Sequence, residues 1–196
     1  MSGSIDFYFD YGSPSSYLAY KQIPGVIHRT GASVNYRPIL LGGVFQQTAN
    51  QSPMDIPAKR EWMVNDLSFF AKRYNVPFEL NPFFPINTLV LMRGAIFAER
   101  EGFLDRYSDA VFDAMWGRPR NMSDPGVIGE VLQAADLDVA RIVAATQDAQ
   151  IKDKLKADTQ AAIERGVFGA PTIFLGKQLF FGQDRVPYVE ELLAKA

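Results

Sequence analysis

The chain opens on a short apolar and aromatic run, Ile5-Asp6-Phe7-Tyr8-Phe9, with the length and composition of a buried strand. The run stops at Asp10-Tyr11-Gly12. From Pro14 to about Arg29 the spacing turns helical, with Tyr17, Leu18 and Ala19 on its apolar side. Pro14 suits the first helical position, where a missing N–H costs nothing. Pro24-Gly25 is expected to bend or end this helix late. Ser33 to Pro38 alternates polar and apolar positions and reads as a second strand. Strand, helix, strand in that order implies a parallel pair joined by a right-handed crossover.

Beyond Leu41-Gly42-Gly43 the texture changes. Residues 44–57 are rich in Gln, Asn, Ser and Pro and read as a functional loop. From Ala58 to about Gly166 the period is helical, broken at Asn81-Pro82, Phe84-Pro85, Gly117-Arg118-Pro119 and Asp124-Pro125. Gly166 is a glycine stop for the last long helix. Strand character returns at Thr172-Ile173-Phe174-Leu175, turns at Gly176-Lys177 and resumes at Gln178-Leu179-Phe180-Phe181, which makes a hairpin. Pro187 to Ala194 closes the chain as a helix. The pattern therefore predicts an α/β chain. Residues 1–43 and 167–196 form a split βαβ–ββα unit, and residues 44–166 form a loop and an all-helical domain inserted between its halves.

Composition narrows the chemistry. The chain has 196 residues, enough for a full core, with 47% apolar and 21% charged residues and a formal net charge of −2. There is no basic excess to suggest a nucleic-acid partner. No apolar run approaches the ~20 residues of a membrane span. Met1-Ser2-Gly3-Ser4 leads straight into a strand without the pattern of a signal peptide, so a cytoplasmic location is expected. There is no cysteine, which excludes disulfides, thiolate metal sites and a thiol nucleophile of the chain's own. His28 is the single histidine, so a His-rich metal site is excluded too. A Ser-His-Asp hydrolase would have to use His28, which falls near the end of the first helix, where a positive charge suits the dipole. No G-x-S-x-G elbow accompanies it.

Two stretches draw attention. F-D-Y-G-S-P-S-S-Y-L-A-Y, residues 9–20, places the Ser13 hydroxyl at the start of the first helix, where free N–H groups and the positive dipole end converge and anions are stabilised. The plainer reading makes Ser13 only a helix cap worth ~1 kcal/mol. G-V-F-G-A-P-T, residues 166–172, puts Pro171 at the start of the third strand, as an edge position or a cis turn. A cis Ala170-Pro171 bond would turn the Ala170 backbone outward, free to pair with an extended peptide-like ligand.

Together, these stretches resemble the thioredoxin fold with a helical insertion. Further matches are D-F-Y-F-D at 6–10, R-P-I-L-L-G-G-V-F at 37–45, N-Q-S-P-M-D-I-P-A-K at 50–59, F-P-I-N-T-L at 84–89 and F-F-G-Q-D-R at 180–185. DsbA-type oxidoreductases carry C-x-x-C at the helix start. Kappa-class glutathione transferases and 2-hydroxychromene-2-carboxylate isomerases carry serine in the first position, and the chain is similar to the isomerase branch more than to the transferase branch. The resemblance implies glutathione as cofactor, a homodimer and a small aromatic carboxylate substrate. The implied reaction is a cis–trans isomerisation of the type 2-hydroxychromene-2-carboxylate to trans-o-hydroxybenzylidenepyruvate.

The resemblance also implies roles. Ser13 would hold the glutathione sulfur as thiolate, and Ala170 would pair its backbone with the cysteinyl part. Gly182, Gln183 and Asp184 would hold the γ-glutamyl end, with Asp184 accepting from its ammonium. Asn50 and Lys59 would sit over the glycyl end or the second substrate. Independently of the resemblance, Lys59, Arg60 and Arg93 are the basic residues of the inserted domain expected to attract a substrate carboxylate. Plainer readings stand beside these: a turn in which Asp184 caps the last helix, a solvated Lys59, and Asn50 as a turn residue. The chain departs from the family at Ser15, where relatives carry a larger or apolar residue, and in the loop 46–57.

The chemistry fits the composition. Rotation about a conjugated double bond is slow until the π bond is temporarily removed, and a thiolate does this by adding and leaving. Without cysteine, the sulfur has to arrive with a ligand. Serines at 13 and 16 exclude disulfide exchange.

Overall fold

The structure, a computed structural model, describes residues 3–195. A four-stranded sheet in the order β2-β1-β3-β4 is built from β1 (Ser4–Phe9), β2 (Ser33–Pro38), β3 (Thr172–Leu175) and β4 (Gln178–Phe181). Strands β1 and β2 run parallel from Ser4 opposite Ser33 to Phe9 opposite Pro38, as the β-α-β order predicts. Strand β3 is antiparallel to both β1 and β4. Tyr8 lies opposite Thr172, so the turn that leaves β1 faces the turn that enters β3. That register brings residues 10–13 to residues 169–171.

Helix α1 (Pro14–Thr30) runs through Pro24, which is exposed, and ends only at Gly31. Gly31 takes φ 69°, a conformation that glycine adopts without cost, and its N–H bonds to the Ile27 carbonyl. His28 lies exposed in the last turn, with Arg29 beside it. The segment expected to be a loop is partly helical: α2 spans Leu41–Thr48, and a 3-10 turn spans Pro53–Asp55. The cause is a tertiary cap. No side chain near Leu40 caps α2, but the Asp10 carboxylate, arriving from the end of β1, accepts from the Leu41 N–H at 2.8 Å.

The remaining helices are α3 (Pro57–Tyr74), α4 (Leu89–Glu101), α5 (Leu104–Phe112), α6 (Pro125–Ala134), α7 (Val139–Ala145), α8 (Ala149–Glu164) and α9 (Val186–Leu193). Helix α5 runs on into a π-helical turn, Asp113–Gly117. One core joins the sheet to the inserted helices, across the expected boundary after residue 43. Phe9 and Tyr11 on the β1 side meet Phe112 of α5, with ring centroids 5.7 and 4.7 Å from it, and Phe7 stacks on Phe9 in the same core. A second, smaller cluster on the other sheet face packs Tyr8 and Phe174 with Val44 of α2 and Ala162 of α8.

Three long side-chain contacts fasten the helical block to α1 and the turn before it. The Trp116 indole N–H donates to the Tyr11 carbonyl at 2.7 Å, the Tyr17 hydroxyl donates to the Pro77 carbonyl at 2.6 Å, and the Tyr11 and Ser108 hydroxyls bond at 2.8 Å. Trp116 and Tyr11 are both fully buried, so no water replaces the indole N–H. Trp116→Phe keeps most of the apolar volume but leaves the Tyr11 carbonyl without its donor, which is expected to cost ~1–3 kcal/mol. Urea unfolding measures this, and a loss below ~0.5 kcal/mol contradicts the role of that bond.

Candidate active site

The two facing turns meet at one hydroxyl. Ser13 is the N-cap of α1, with an extended backbone (φ −99°, ψ 111°), and only 4% of its surface is exposed. Its Oγ accepts from the Ser16 N–H at 3.1 Å and donates to the Ala170 carbonyl at 2.9 Å. The cap reading is therefore true, and the hydroxyl does more than cap. The Ala170-Pro171 peptide is cis, as expected, and so is Phe84-Pro85. The Ala170 N–H has no hydrogen-bond partner among the described residues. No acidic side chain occupies the first turn of α1, so the positive end of its dipole is not neutralised from within the helix.

Asp10 underpins this arrangement. It is 1% exposed, and its backbone carbonyl accepts from the Ser13 N–H at 3.0 Å. Its carboxylate accepts from Gly12 N–H and Leu41 N–H, both at 2.8 Å. One buried carboxylate thus ties together the starts of α1 and α2. Burial pushes this carboxyl above its ordinary value, while the two N–H groups pull the other way.

Beside Ser13 and Ala170 opens a cavity of about 650 Å³, within the range of small-molecule sites. Ser13, Asn50, Lys59, Ala170, Gly182, Gln183 and Asp184 all line it. One face of α3 forms a wall, through Lys59, Trp62, Met63, Asp66, Leu67 and Phe70. Asn50, just past α2, donates its side-chain amide to the Phe168 carbonyl at 3.0 Å and so ties that segment to the turn before β3. Gly182 has φ 105°, a backbone conformation that residues with a Cβ rarely adopt, which favours glycine there. Asp184 does not cap α9, which has no side-chain cap. It lies 3.7 Å from the Arg185 guanidinium.

Two basic residues named from the sequence fall elsewhere. Arg60 is outside the cavity lining and donates its Nε–H to the Met54 carbonyl at 2.7 Å. Arg93 points from α4 towards the end of α7, where it donates to the Thr146 carbonyl at 3.5 Å. Neither is placed to meet a ligand in the cavity. In their stead the structure adds Asp10, Trp62 and Asp66. Counting from Lys59 at helical spacing, positions 62, 63, 66, 67 and 70 share its face, a signal available in the sequence once Lys59 was chosen.

Comparison with known proteins agrees with this geometry. The profile of the DSBA-like thioredoxin domain matches residues 4–194. The chain belongs to this family. It is 32% identical to the 2-hydroxychromene-2-carboxylate isomerase of Pseudomonas sp. (strain C18), over 98% of this chain and 91% of that protein. It is 30% identical to Glutathione s-transferase kappa 2 of Caenorhabditis elegans, over 97% of this chain and 92% of that protein. A solved structure of 2-hydroxychromene-2-carboxylate isomerase superposes with a TM-score of 0.89 at 28% identity, covering 98% of this chain and 95% of that one. The α/β fold is thus the DsbA-like thioredoxin fold with its helical insertion, and the chain is an isomerase-family protein related to the kappa transferases.

Asp66, two turns along α3 from Lys59, lies close enough to Asp184 to feel its charge. Burial raises the Asp66 carboxyl above its ordinary value, and the Asp184 charge raises it further. Asp184→Asn removes the second cause, so the Asp66 titration midpoint is expected to fall, as read by carboxyl-carbon NMR against pH. An unmoved midpoint contradicts the approach of the two carboxylates.

Proposed function

We propose that this protein is a glutathione-dependent cis–trans isomerase of a conjugated aromatic-degradation intermediate, in which Ser13 stabilises the glutathione thiolate; its likeness to 2-hydroxychromene-2-carboxylate isomerases supports the isomerase part of this reading. On the same reading it works as a cytoplasmic homodimer. One observation carries the proposal: the Ser13 hydroxyl and the Ala170 backbone meet inside a cavity whose α3 wall has a cation at one end and a carboxylate at the other.

The wall works as a ruler. Lys59 and Asp66 are separated by seven residues of helix, about 10 Å at ~1.5 Å per residue. Three extended residues span about the same distance at ~3.3–3.6 Å each. A tripeptide with an ammonium at one end and a carboxylate at the other therefore suits Asp66 and Asp184 on one side and Lys59 on the other. Lys59 stands in the first turn of α3, which has no side-chain cap, so the helix dipole adds to its charge. Between the ends, the free Ala170 N–H is placed to donate to a peptide carbonyl and the Ala170 carbonyl to accept a peptide N–H.

That second bond matters for Ser13, whose one proton is engaged with the Ala170 carbonyl. A peptide N–H that takes over the carbonyl releases the Ser13 hydroxyl to donate to a sulfur anion beside it. The anion also lies at the unneutralised N-terminus of α1. Bound glutathione supplies the soft thiolate that adds to the conjugated carbon, lets the bond rotate and leaves again. Asp10 keeps the Gly12-Ser13 turn fixed while the hydroxyl changes partner. A thiol near such a helix start has a pKa drawn down from ~8.5 towards neutrality.

A second reading, a kappa-type glutathione transferase, has the support of the 30% identity to the nematode kappa protein. It uses the same residues and differs in outcome, because glutathione is returned after isomerisation and consumed after transfer. Product analysis separates them. Ser13→Ala is expected to lose most turnover, by ~10²-fold, as when an anion-stabilising donor is removed. The lost cap costs ~1 kcal/mol, which leaves the fold intact. Rates within about twofold of wild type remove Ser13 from the mechanism.

A further inference from the structure

The turn that holds Ser13 carries two more serines, and the structure places the three differently. Ser13 caps α1 and has its proton on the Ala170 carbonyl. The Ser16 hydroxyl is fully buried without a hydrogen-bond partner and lies off the cavity. Ser15, the second residue of α1, lines the cavity and is 9% exposed. Among the described residues its hydroxyl has no partner either, yet unlike that of Ser16 it is not sealed off. In the same turn Pro14 has no N–H and the Ser16 N–H is held by Ser13, so the Ser15 N–H is left without a partner too. A buried hydroxyl with no acceptor is costly, and the cost is removed when a bound molecule accepts from it.

The lining has other uncharged polar side chains, and they stand elsewhere. Asn50, Gln51 and Ser52 come from the segment after α2, where Asn50 donates to the Phe168 carbonyl and the Ser52 hydroxyl accepts from the Met54 N–H. Gln183, 6% exposed, follows β4 beside Asp184. Ser15 is the one on the same turn as the hydroxyl assigned to the sulfur. That place matters for the chemistry. When the glutathione thiolate adds to a double bond conjugated with a carbonyl, a carbon–sulfur bond forms, the π pair moves towards the carbonyl, and its oxygen takes the negative charge as an enolate. The remaining single bond rotates. The enolate then re-forms the double bond and expels the thiolate, with no proton gained or lost. Charge thus leaves the sulfur and arrives at an oxygen a few atoms away. A donor on the sulfur stabilises the thiolate before the reaction, whereas a donor at that oxygen favours the adduct.

We propose that the Ser15 hydroxyl is a second catalytic group, which donates to the carbonyl oxygen of the second substrate as that oxygen becomes an enolate. The inference rests on the glutathione reading, and binding separates the two. Calorimetry first measures glutathione alone, then S-(3-oxobutyl)glutathione and S-butylglutathione. These conjugates differ by a carbonyl against a methylene at the third carbon from the sulfur, where the enolate oxygen forms in the adduct. The wild type is expected to bind the ketone about fivefold more tightly, as for one neutral hydrogen bond. Ser15→Ala keeps the N–H and suits a helix, so the fold is expected to hold. In this variant the preference is expected to vanish or reverse, because an unpaired carbonyl loses its water, while affinities for glutathione and S-butylglutathione stay unchanged. Wild-type affinities for the two conjugates within about twofold, or tighter for the butyl conjugate, overturn the inference and leave the glutathione reading standing. So does a preference that survives in Ser15→Ala, a loss of affinity for both conjugates in that variant, or binding of neither to the wild type. Absence of glutathione binding overturns the reading and the inference with it.

Discussion

The hydrogen bond from Ser13 to the Ala170 carbonyl joins residues 157 positions apart, and the site is arranged around it. It forms because β1 and β3 pair antiparallel with Tyr8 opposite Thr172, which sets the end of one strand beside the start of the other. A one-residue slip would turn every side chain of β3 to the other face and carry Ala170 away from the helix start. The same register brings residues 182–185, just after β4, alongside the cavity, since β4 pairs with β3 from Thr172 opposite Phe181. Sheet pairing therefore brings together the Ser13, Ala170 and 182–185 parts of the site from the two ends of the chain. The segment from Leu41 to Ile56, helix α3 and Phe84 supply the remaining wall.

Asp10 explains both what the sequence disclosed and what it concealed. Strands β1, β2, β3 and β4 and helices α1 and α9 lie within a residue of their expected bounds, because their apolar spacing and their Pro and Gly stops are local signals. Helix α2 carried no such signal: Gly42-Gly43 and the polar Gln46-Gln47 read as a loop, and its cap comes from 31 residues earlier in the chain. Local pattern carries no information on that contact. The loop reading survives only for the residues after Thr48, with a single 3-10 turn in them.

The site was legible to a similar depth. Ser13, Asn50, Lys59, Ala170, Gly182, Gln183 and Asp184 converge on one cavity because each belongs to a motif with a fixed place in the fold. Arg60 and Arg93 were chosen for charge alone, and charge does not say where a long side chain points. Arg60 turns back to the Met54 carbonyl, and Arg93 is drawn to the end of α7. Asp66 escaped notice for the opposite reason, as an ordinary polar residue on a helix. Only its position two turns beyond Lys59 on the same face, and its approach to Asp184 in the folded chain, mark it out. The absence of cysteine gives this geometry its chemical sense, because a helix start prepared for an anion has no sulfur of its own to hold.

The central claim is that Ser13 and the N-terminus of α1 hold a glutathione thiolate. The most direct measurement is a pH titration of the ultraviolet thiolate absorbance of glutathione bound to the protein. The account predicts a midpoint well below the ~8.5 of a free thiol, moving back up in Ser13→Ala. A midpoint at or above ~8.5 in the wild-type protein, or one unchanged by the loss of the hydroxyl, would contradict it.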